Sequence, residues 1–435
     1  MTSTERSQQT IQAPAGPDLP LEQSAVELGF IPLTDCAPLV MALELGIFER
    51  YGLDVTLSRE PSWANIRDKV SFGLLDGAQM LAGMPLSCSL GAEAIRQPMV
   101  VPMALSLNGN AITLSLPLFE RLREADPGLM AQRPVSANAL KRLIDQDREA
   151  GRPPLRFAMV YPSSCHNYLL RYWLAAAGID PDRDLSLCVV PPPLMADCLW
   201  DGLINGYCVG EPWNTVAVER GIGAIVTPSC EIWNNHPEKV FGVTRAWARS
   251  RPNTLLAIVK ALIEACRWLD DESNRLDAAD ILAHPAYLGT DALTIAAGLQ
   301  GRVPIGLSRA ITPLPDFHVF SRYAANFPWL SHAEWIATQM VRWGQLRPEI
   351  DTAAAVSEVY RPDIYRQAAT ALGLASPPTD RKVEGLHEQS WLLATTTESF
   401  TLGPDRFFNG DVFDSTTPKP WTCPGTALSG ADGTA

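Results

Sequence analysis

The chain has 435 residues, 46% of them apolar and 19% charged, which excludes a disordered protein and predicts one large or two medium domains. The formal net charge of −13 argues against nucleic acids and anionic membranes as partners of the bulk surface. It does not exclude a small anion as ligand, because a few buried donors, and not the net charge, make such a site.

Both ends of the chain read as flexible tails, residues 1–24 and residues 421–435. The first 20 residues are polar and lack the apolar core of roughly 7–15 residues that secretory signal peptides carry. The sequence also has no apolar run of about 20 residues that could span a membrane. We therefore expect a cytoplasmic protein.

From Val26 onward, short apolar runs alternate with amphipathic ones, which predicts strands and helices in turn. A second series of the same kind begins near Leu155, and long helices follow it. The predicted strands are 26–31, 53–57, 76–81, 98–107, 155–160, 185–190 and 206–209. The predicted helices are 37–45, 66–74, 167–177, 195–201, 254–270 and 333–344.

This alternation predicts an α/β fold with two lobes, each a doubly wound, mainly parallel sheet. Ligands of such sheets lie beyond the carboxyl ends of the strands. Several polar clusters follow predicted strands, so we expect them to meet in a cleft between the lobes. These clusters are Thr34-Asp35, Ser62-Trp63, Asn108-Gly109-Asn110, Ser163 to His166 and Gly210-Glu211.

The common catalytic motifs are absent from the sequence. It has no nucleophile elbow, no phosphate-binding loop, no zinc-protease helix and no Gly-rich dinucleotide fingerprint. Its nine cysteines are odd in number and show no zinc-type spacing, so buried reduced thiols are expected, and no metal. We therefore expect a binding protein, not an enzyme.

Two residues carry the chemistry of an anion site most directly. Lys239 opens an apolar run and can neutralise a desolvated anion, although a solvated lysine at a strand end is the ordinary alternative. His166 begins a predicted helix, whose free N–H groups and partial positive charge suit an anion. The alternative for His166 is a capping or surface histidine.

Three further residues can supply directional contacts. Trp63 offers an indole N–H, Asn110 offers an amide, and Gly210 permits a ligand to approach the backbone closely. Their alternatives are a core tryptophan for Trp63 and ordinary turn residues for the other two.

Segments across residues 26–350 resemble the nitrate- and bicarbonate-binding proteins of ABC transporters. The most specific is Gly206–Asn214 (GYCVGEPWN), and Glu27–Leu39, Ser62–Ala64 and Met340–Gly344 add to it. The resemblance implies a two-lobed, periplasmic-binding-protein-like (type II) C-clamp fold. Lobe 1 would comprise residues 25–107 and 240–420, and lobe 2 residues 108–239.

By the same resemblance, the oxyanion would be held by Trp63, Asn110, His166, Gly210 and Lys239. The family usually has the longer amide glutamine where this chain has Asn110, so a reshaped pocket is expected there. In the calcium-dependent bicarbonate binders the position of Lys239 is typically acidic and helps to hold the metal. The lysine favours a bare monoanion, nitrate or nitrite, and no metal or cofactor.

The polar N-terminus, which lacks the apolar core of a signal peptide, and the resemblance together favour the NasS group of cytoplasmic nitrate/nitrite sensors. In that group the ligand-free sensor holds an RNA-binding, NasT-like antiterminator inactive and releases it on binding nitrate or nitrite, which controls nitrate assimilation genes. The first alternative is the substrate-binding component of a nitrate or bicarbonate ABC transporter. A lesser alternative is an enzyme of pyrimidine-precursor or sulfonate metabolism.

Overall fold

The computed structural model describes residues 20–93, 95–307, 311–394 and 399–416. Of the two predicted tails, residues 1–19 and 421–435 lie outside the described residues. Glu22, which was predicted as part of the N-terminal tail, instead packs against the start of a long helix. Its carboxylate accepts hydrogen bonds from Asn253 N (3.1 Å) and Thr254 N (2.9 Å), the free N–H groups that a helix start leaves.

The described strands agree with the predicted ones to within a few residues, and several additional strands are present. The strands are β1 Ala25–Phe30, β2 Asp54–Arg59, β3 Gly77–Leu81, β4 Met99–Asn108, β5 Asn110–Ser115, β6 Arg156–Met159, β7 Ser186–Val189, β8 Gly206–Gly210, β9 Gly223–Pro228, β10 Pro237–Thr244, β11 Arg302–Pro304, β12 Ile311–Pro313, β13 His318–Val319, β14 Trp391–Ala394 and β15 Ser399–Leu402.

Two mixed sheets organise these strands. The first sheet has the order β13-β4-β10-β3-β1-β2, and the second has the order β7-β6-β8-β5-β9. β1 pairs in parallel with β2 and β3, as β6 does with β7 and β8. However, β10 and β5 run antiparallel to both of their neighbours. The predicted α/β layers are present, but each sheet holds an antiparallel strand in its interior, which the expectation of mainly parallel sheets did not include.

Helices cover these sheets, and the predicted helices are all found. The helix predicted from residue 66 begins earlier, because the Ser62 hydroxyl accepts a hydrogen bond from Asn65 N and caps it. The helices are α1 Ala37–Glu44, α2 Ile47–Arg50, α3 Trp63–Ser71, α4 Met84–Leu90, α5 Leu116–Ala125, α6 Pro127–Met130, α7 Asn138–Glu149, α8 Cys165–Ala176, α9 Met195–Trp200, α10 Trp213–Glu219, α11 Ser229–Ile232, α12 Arg245–Ser250, α13 Pro252–Asp270, α14 Arg275–Leu282, α15 Ala292–Leu299, α16 Leu330–Arg342, α17 Thr352–Val359 and α18 Pro362–Ala371.

The chain crosses between the sheets twice. It leaves the first sheet at Gly109, between β4 and β5, and returns to it at β10. The two crossings are joined, because Asn108 Oδ1 accepts a hydrogen bond from His236 N (3.1 Å). Lys239, the last residue of the predicted lobe 2, lies inside β10. All of β10 belongs to the first sheet. The division of the chain into two domains stays a prediction.

Loops of the two sheets also meet directly. Thr34 N donates to Glu211 O (2.8 Å), and Trp213 Nε1 donates to Pro32 O (3.0 Å). The polar clusters predicted at the strand ends therefore come together between the sheets. Within the described ranges, no helix is both long and apolar enough to cross a membrane.

Gly109 at the first crossing is expected to tolerate no side chain. Its φ is +89°, and a Cβ there would lie 2.3 Å from Cε1 of the buried His318 ring. Gly109→Ala should lower the free energy of unfolding by about 1–3 kcal/mol more than Gly151→Ala, which has a φ of +66° and open space. Urea unfolding of both variants measures the difference. Equal losses would mean that the His318 ring moves aside freely.

Candidate anion-binding site

All five predicted site residues converge between the two sheets. Lys239 lies on β10 and Trp63 at the first residue of α3, on the side of the first sheet. Asn110 on β5, Gly210 on β8 and His166 on α8 come from the side of the second sheet. Each of these residues is buried. Both sheets therefore contribute residues to the site.

Lys239 occupies the centre of the site, but it is not a free cation. Its Nζ lies 2.8 Å from Asp35 Oδ2 and 2.5 Å from Glu238 Oε1. It also lies 5.5 Å from the centre of the Trp63 ring. Asp35 is fixed in turn by Gln79 Nε2, which donates to its Oδ1 (2.6 Å). The expected lone lysine is thus one member of a fully buried ion cluster.

Neither carboxylate has a predicted role in the site. Asp35 belonged to a polar cluster that was predicted at a strand end, so its position gave a usable signal. Glu238 gave none, because residues adjacent on a strand normally point to opposite faces. The pairing of β10 with β4 shifts register on both sides of Lys239, between Pro237 and Val240. This irregularity brings Glu238 and Lys239 to the same side of the sheet.

Burial sets the charges of this cluster. It raises the pKa of Asp35 and raises the pKa of Glu238 to about 7, and Lys239 opposes both shifts. For Lys239, burial is outweighed by the two carboxylates, so the pKa of the ammonium is raised and it stays charged. Burial, aided by Lys239, holds the pKa of His166 well below its usual range. His166 is therefore neutral at physiological pH.

Several buried polar atoms around Lys239 lack a hydrogen-bond partner among the described residues. They include the indole Nε1 of Trp63, both ring nitrogens of His166, Oδ1 of Asn110 and Oγ1 of Thr34. A buried polar group without a partner costs about 1–3 kcal/mol, and native proteins rarely tolerate several close together. The group points to a polar ligand that would satisfy these atoms.

The backbone N–H of Gly210 takes no part in the pairing of β8 with β5. Glu211 N donates to Gly109 O (3.1 Å), which makes Asn110 and Gly210 a non-hydrogen-bonded pair of β5 and β8. The N–H of Gly210 consequently points away from β5. A Cβ at Gly210 would lie 3.2 Å from Asn110 Oδ1 and 3.5 Å from Asp35 Oδ2, so a side chain would fill the site.

The first turn of α8 adds a further source of positive potential. His166 is its second residue, and the Ser164 hydroxyl caps the helix by accepting from Asn167 N (3.1 Å). At this end the backbone N–H groups have no acceptor within the helix, and its dipole favours an anion. The predicted placement of His166 at a helix start is confirmed.

A metal is not suggested by the arrangement of ligand-type side chains. No group of three or more His, Cys, Asp or Glu residues in the described ranges is arranged to hold an ion. The eight cysteines in these ranges are all free, and most are buried. The unpartnered N–H groups of Trp63 and His166 near Lys239 suit an anion.

The chain is similar to several known proteins over most of its length. The model of the NMT1-like family matches residues 19–283. The chain is 43% identical to the nitrate import ATP-binding protein NrtC and 41% identical to the bicarbonate transport ATP-binding protein CmpC, both of Synechocystis sp.. Each match covers 81% of this chain, which spans about half the length (51%) of each of these two relatives.

Two further similarities extend along most of the chain. The chain is 34% identical to the nitrate/nitrite binding protein NrtA of Synechococcus elongatus, over 94% of this chain and 87% of that protein. The crystal structure of the periplasmic nitrate-binding protein NrtA from Synechocystis PCC 6803 matches with a TM-score of 0.80 and 29% identity. That match covers 91% of this chain and 97% of the other. The predicted periplasmic-binding-protein-like fold is confirmed.

Removal of the central cation should destabilise the fold. Lys239→Met leaves two buried carboxylates without their cation, so the free energy of unfolding at pH 8 should fall by about 3–5 kcal/mol. Lys141→Met is the control, because Lys141 pairs with Asp145 one helical turn away with both side chains partly exposed, and its loss should cost about 0–1 kcal/mol.

The loss in Lys239→Met should depend on pH. The pKa values of Asp35 and Glu238 are raised on folding, so the folded state binds more protons and the stability that these groups contribute falls as pH rises. Without the lysine both pKa values rise further, and the deficit should shrink between pH 8 and pH 5.5. Urea unfolding at both pH values measures it, and a deficit that does not change with pH would contradict this account.

Proposed function

Because the chain belongs to the NMT1-like family, we propose that it is a solute-binding protein whose two lobes close around nitrate or nitrite. One observation carries the proposal: unpartnered, buried N–H donors surround the ammonium of Lys239. Trp63, His166 and the N–H of Gly210 supply directional contacts to the oxygens of a planar anion. The names of the NrtA relatives support nitrate as the ligand.

The same residues favour a monoanion over a dianion. The ammonium of Lys239 is paired with the carboxylates of Asp35 and Glu238. The site therefore has no surplus positive charge that could neutralise the two charges of phosphate or sulfate. Bicarbonate is also a monoanion, and the CmpC relative makes it the natural competitor. Isothermal titration with nitrate, nitrite, bicarbonate and sulfate tests the choice. Binding of bicarbonate without binding of nitrate would overturn the proposal.

The indole N–H of Trp63 is expected to contribute directly to affinity. Trp63→Phe keeps an aromatic ring but removes the donor, so the Kd for nitrate should rise by about 10- to 150-fold, as expected for a lost hydrogen bond to a charged group. Trp335→Phe is the matched control. Trp335 is also buried with an indole N–H that has no partner among the described residues, but it lies on α16 in the aromatic core.

These affinities are measured by titration calorimetry, with thermal unfolding as a check that both variants fold. The control should bind nitrate as the unaltered protein does. Equal affinities for the two variants would mean that Trp63 only packs, and that the ligand is held elsewhere.

We propose that the protein acts as a cytoplasmic sensor, in which the ligand-free form holds a NasT-like antiterminator inactive and the anion-bound form releases it. The alternative, a substrate-binding component of a nitrate transporter, has equal support from the relatives that are named for nitrate import and nitrate binding. Both roles rest on the same closure of the lobes around the anion.

The two roles differ in linkage. In a sensor, the antiterminator and the anion must weaken each other's binding by the same factor. Titration of nitrate with and without saturating antiterminator measures this factor. Equal nitrate affinities in the two titrations, together with a periplasmic pool on cell fractionation, would favour the transporter component instead.

A further inference from the structure

The ion cluster creates a charge problem for any anion that enters it. With Asp35 and Glu238 both ionised, the cluster carries one positive and two negative charges. All three side chains are buried, with at most 1% of each exposed. A monoanion would change the net charge of this enclosed space from −1 to −2, and buried sites avoid such a charge by binding protons. One of the two carboxylates must therefore take up a proton when the ligand binds.

The orientation of the Asn110 amide also disfavours an anion, and the ionised carboxylate of Glu238 is again the cause. Its Nδ2 donates to Glu238 Oε2 at 2.5 Å, and its Oδ1 faces the site beside Gly210 without a partner in the described part of the chain. An ionised carboxylate can only accept hydrogen bonds, so it forces the amide into this orientation. The amide then turns an acceptor, and not a donor, towards the anion.

We propose that Glu238 is a proton-gated residue of the binding site: nitrate binds to the form in which the Glu238 carboxyl is protonated and the amide of Asn110 is reversed. The new O–H of Glu238 donates to Asn110 Oδ1, and Asn110 Nδ2 turns to the ligand. One proton comes from solvent and forms one O–H bond at Glu238, so each nitrate enters with one proton. The inference rests on the proposed function, since it describes how that site accepts its anion.

The neighbours of Glu238 leave it as the group that titrates near neutrality. Burial raises its pKa to about 7. Burial lowers the pKa of His236, 3.9 Å away, to about 3, and lowers that of His166, 3.5 Å away, well below its usual range. Burial raises the pKa values of the thiols of Cys165 and Cys208, which also face Glu238, well above theirs. The two imidazoles and the two thiols are thus neutral near pH 7.

The two remaining neighbours are the charged members of the cluster. Lys239 keeps its proton, as its raised pKa requires. Asp35 accepts a hydrogen bond from Gln79 and forms an ion pair with Lys239, and both contacts stabilise its charge. Glu238 accepts from Lys239 and from Asn110, and the Asn110 amide can invert in place. Glu238 is therefore the carboxylate whose protonation also creates a donor for the ligand.

The first test counts protons in the unaltered protein. Nitrate is titrated calorimetrically at pH 8 in Tris and in triethanolamine, two cationic buffers that differ in ionisation enthalpy. The apparent binding enthalpies should differ by the amount that corresponds to uptake of about one proton per nitrate. The Kd should also rise about tenfold per pH unit above pH 7.

The second test assigns the proton. Glu238→Gln mimics the neutral side chain and can donate to Asn110 Oδ1, so its nitrate affinity should stay constant from pH 6 to pH 8.5. Asp147→Asn is the matched control, because Asp147 on α7 is also a buried carboxylate paired with cations, Arg121 (2.6 Å) and Arg152 (2.8 Å). This control should keep the pH dependence of the unaltered protein.

The outcomes separate the inference from the function on which it rests. Nitrate binding with no buffer dependence and an unchanged Kd from pH 6 to pH 8.5 would overturn the inference and leave the proposed function standing. Unaltered pH dependence in Glu238→Gln would overturn the assignment to Glu238. Absence of nitrate binding at every pH would overturn both. If Glu238→Gln does not fold, the buffer comparison decides.

Discussion

The site depends on one buried contact, that of the Lys239 ammonium with the carboxylates of Asp35 and Glu238. A buried charge without a partner is very costly, so each member of this cluster requires the others. Glu238 also accepts a hydrogen bond from Asn110, which belongs to the second sheet. The cluster therefore connects the two sheets through Glu238. A change in the charge of Glu238 would alter both the contact between the sheets and the electrostatic potential of the site.

The alternation of strands and helices was readable from the sequence because hydrophobic period and turn residues encode it locally. Strand direction was not, since the side-chain pattern of a strand is the same in either direction. β5 was missed altogether, because Asn108, Gly109 and Asn110 read as a turn. In the structure the turn is confined to Asn108 and Gly109, both with positive φ, and Asn110 already begins β5. Long-range pairing with β8 and β9, and not local propensity, makes that strand.

For the site, physical reasoning on the sequence predicted that polar clusters at strand ends would converge, and they do. The choice of Trp63, Asn110, His166, Gly210 and Lys239 among many polar residues came from the resemblance. Neither route found Glu238, because it stands next to Lys239 on a strand and the period of two predicts opposite faces. The register shift in β10 that reverses this expectation arises from pairing with β4, a contact that no local pattern encodes.

The division of donors between the sheets explains why one site serves either proposed role. Trp63 and Lys239 lie on the side of the first sheet, whereas His166 and Gly210 lie on the side of the second. An anion that contacts both sets stabilises the closed form by its differential affinity for that form, and by no more than this amount. Because an ionised Glu238 weakens that differential affinity, the proton and the anion act on the same equilibrium. A partner that distinguishes open from closed lobes would consequently respond to both.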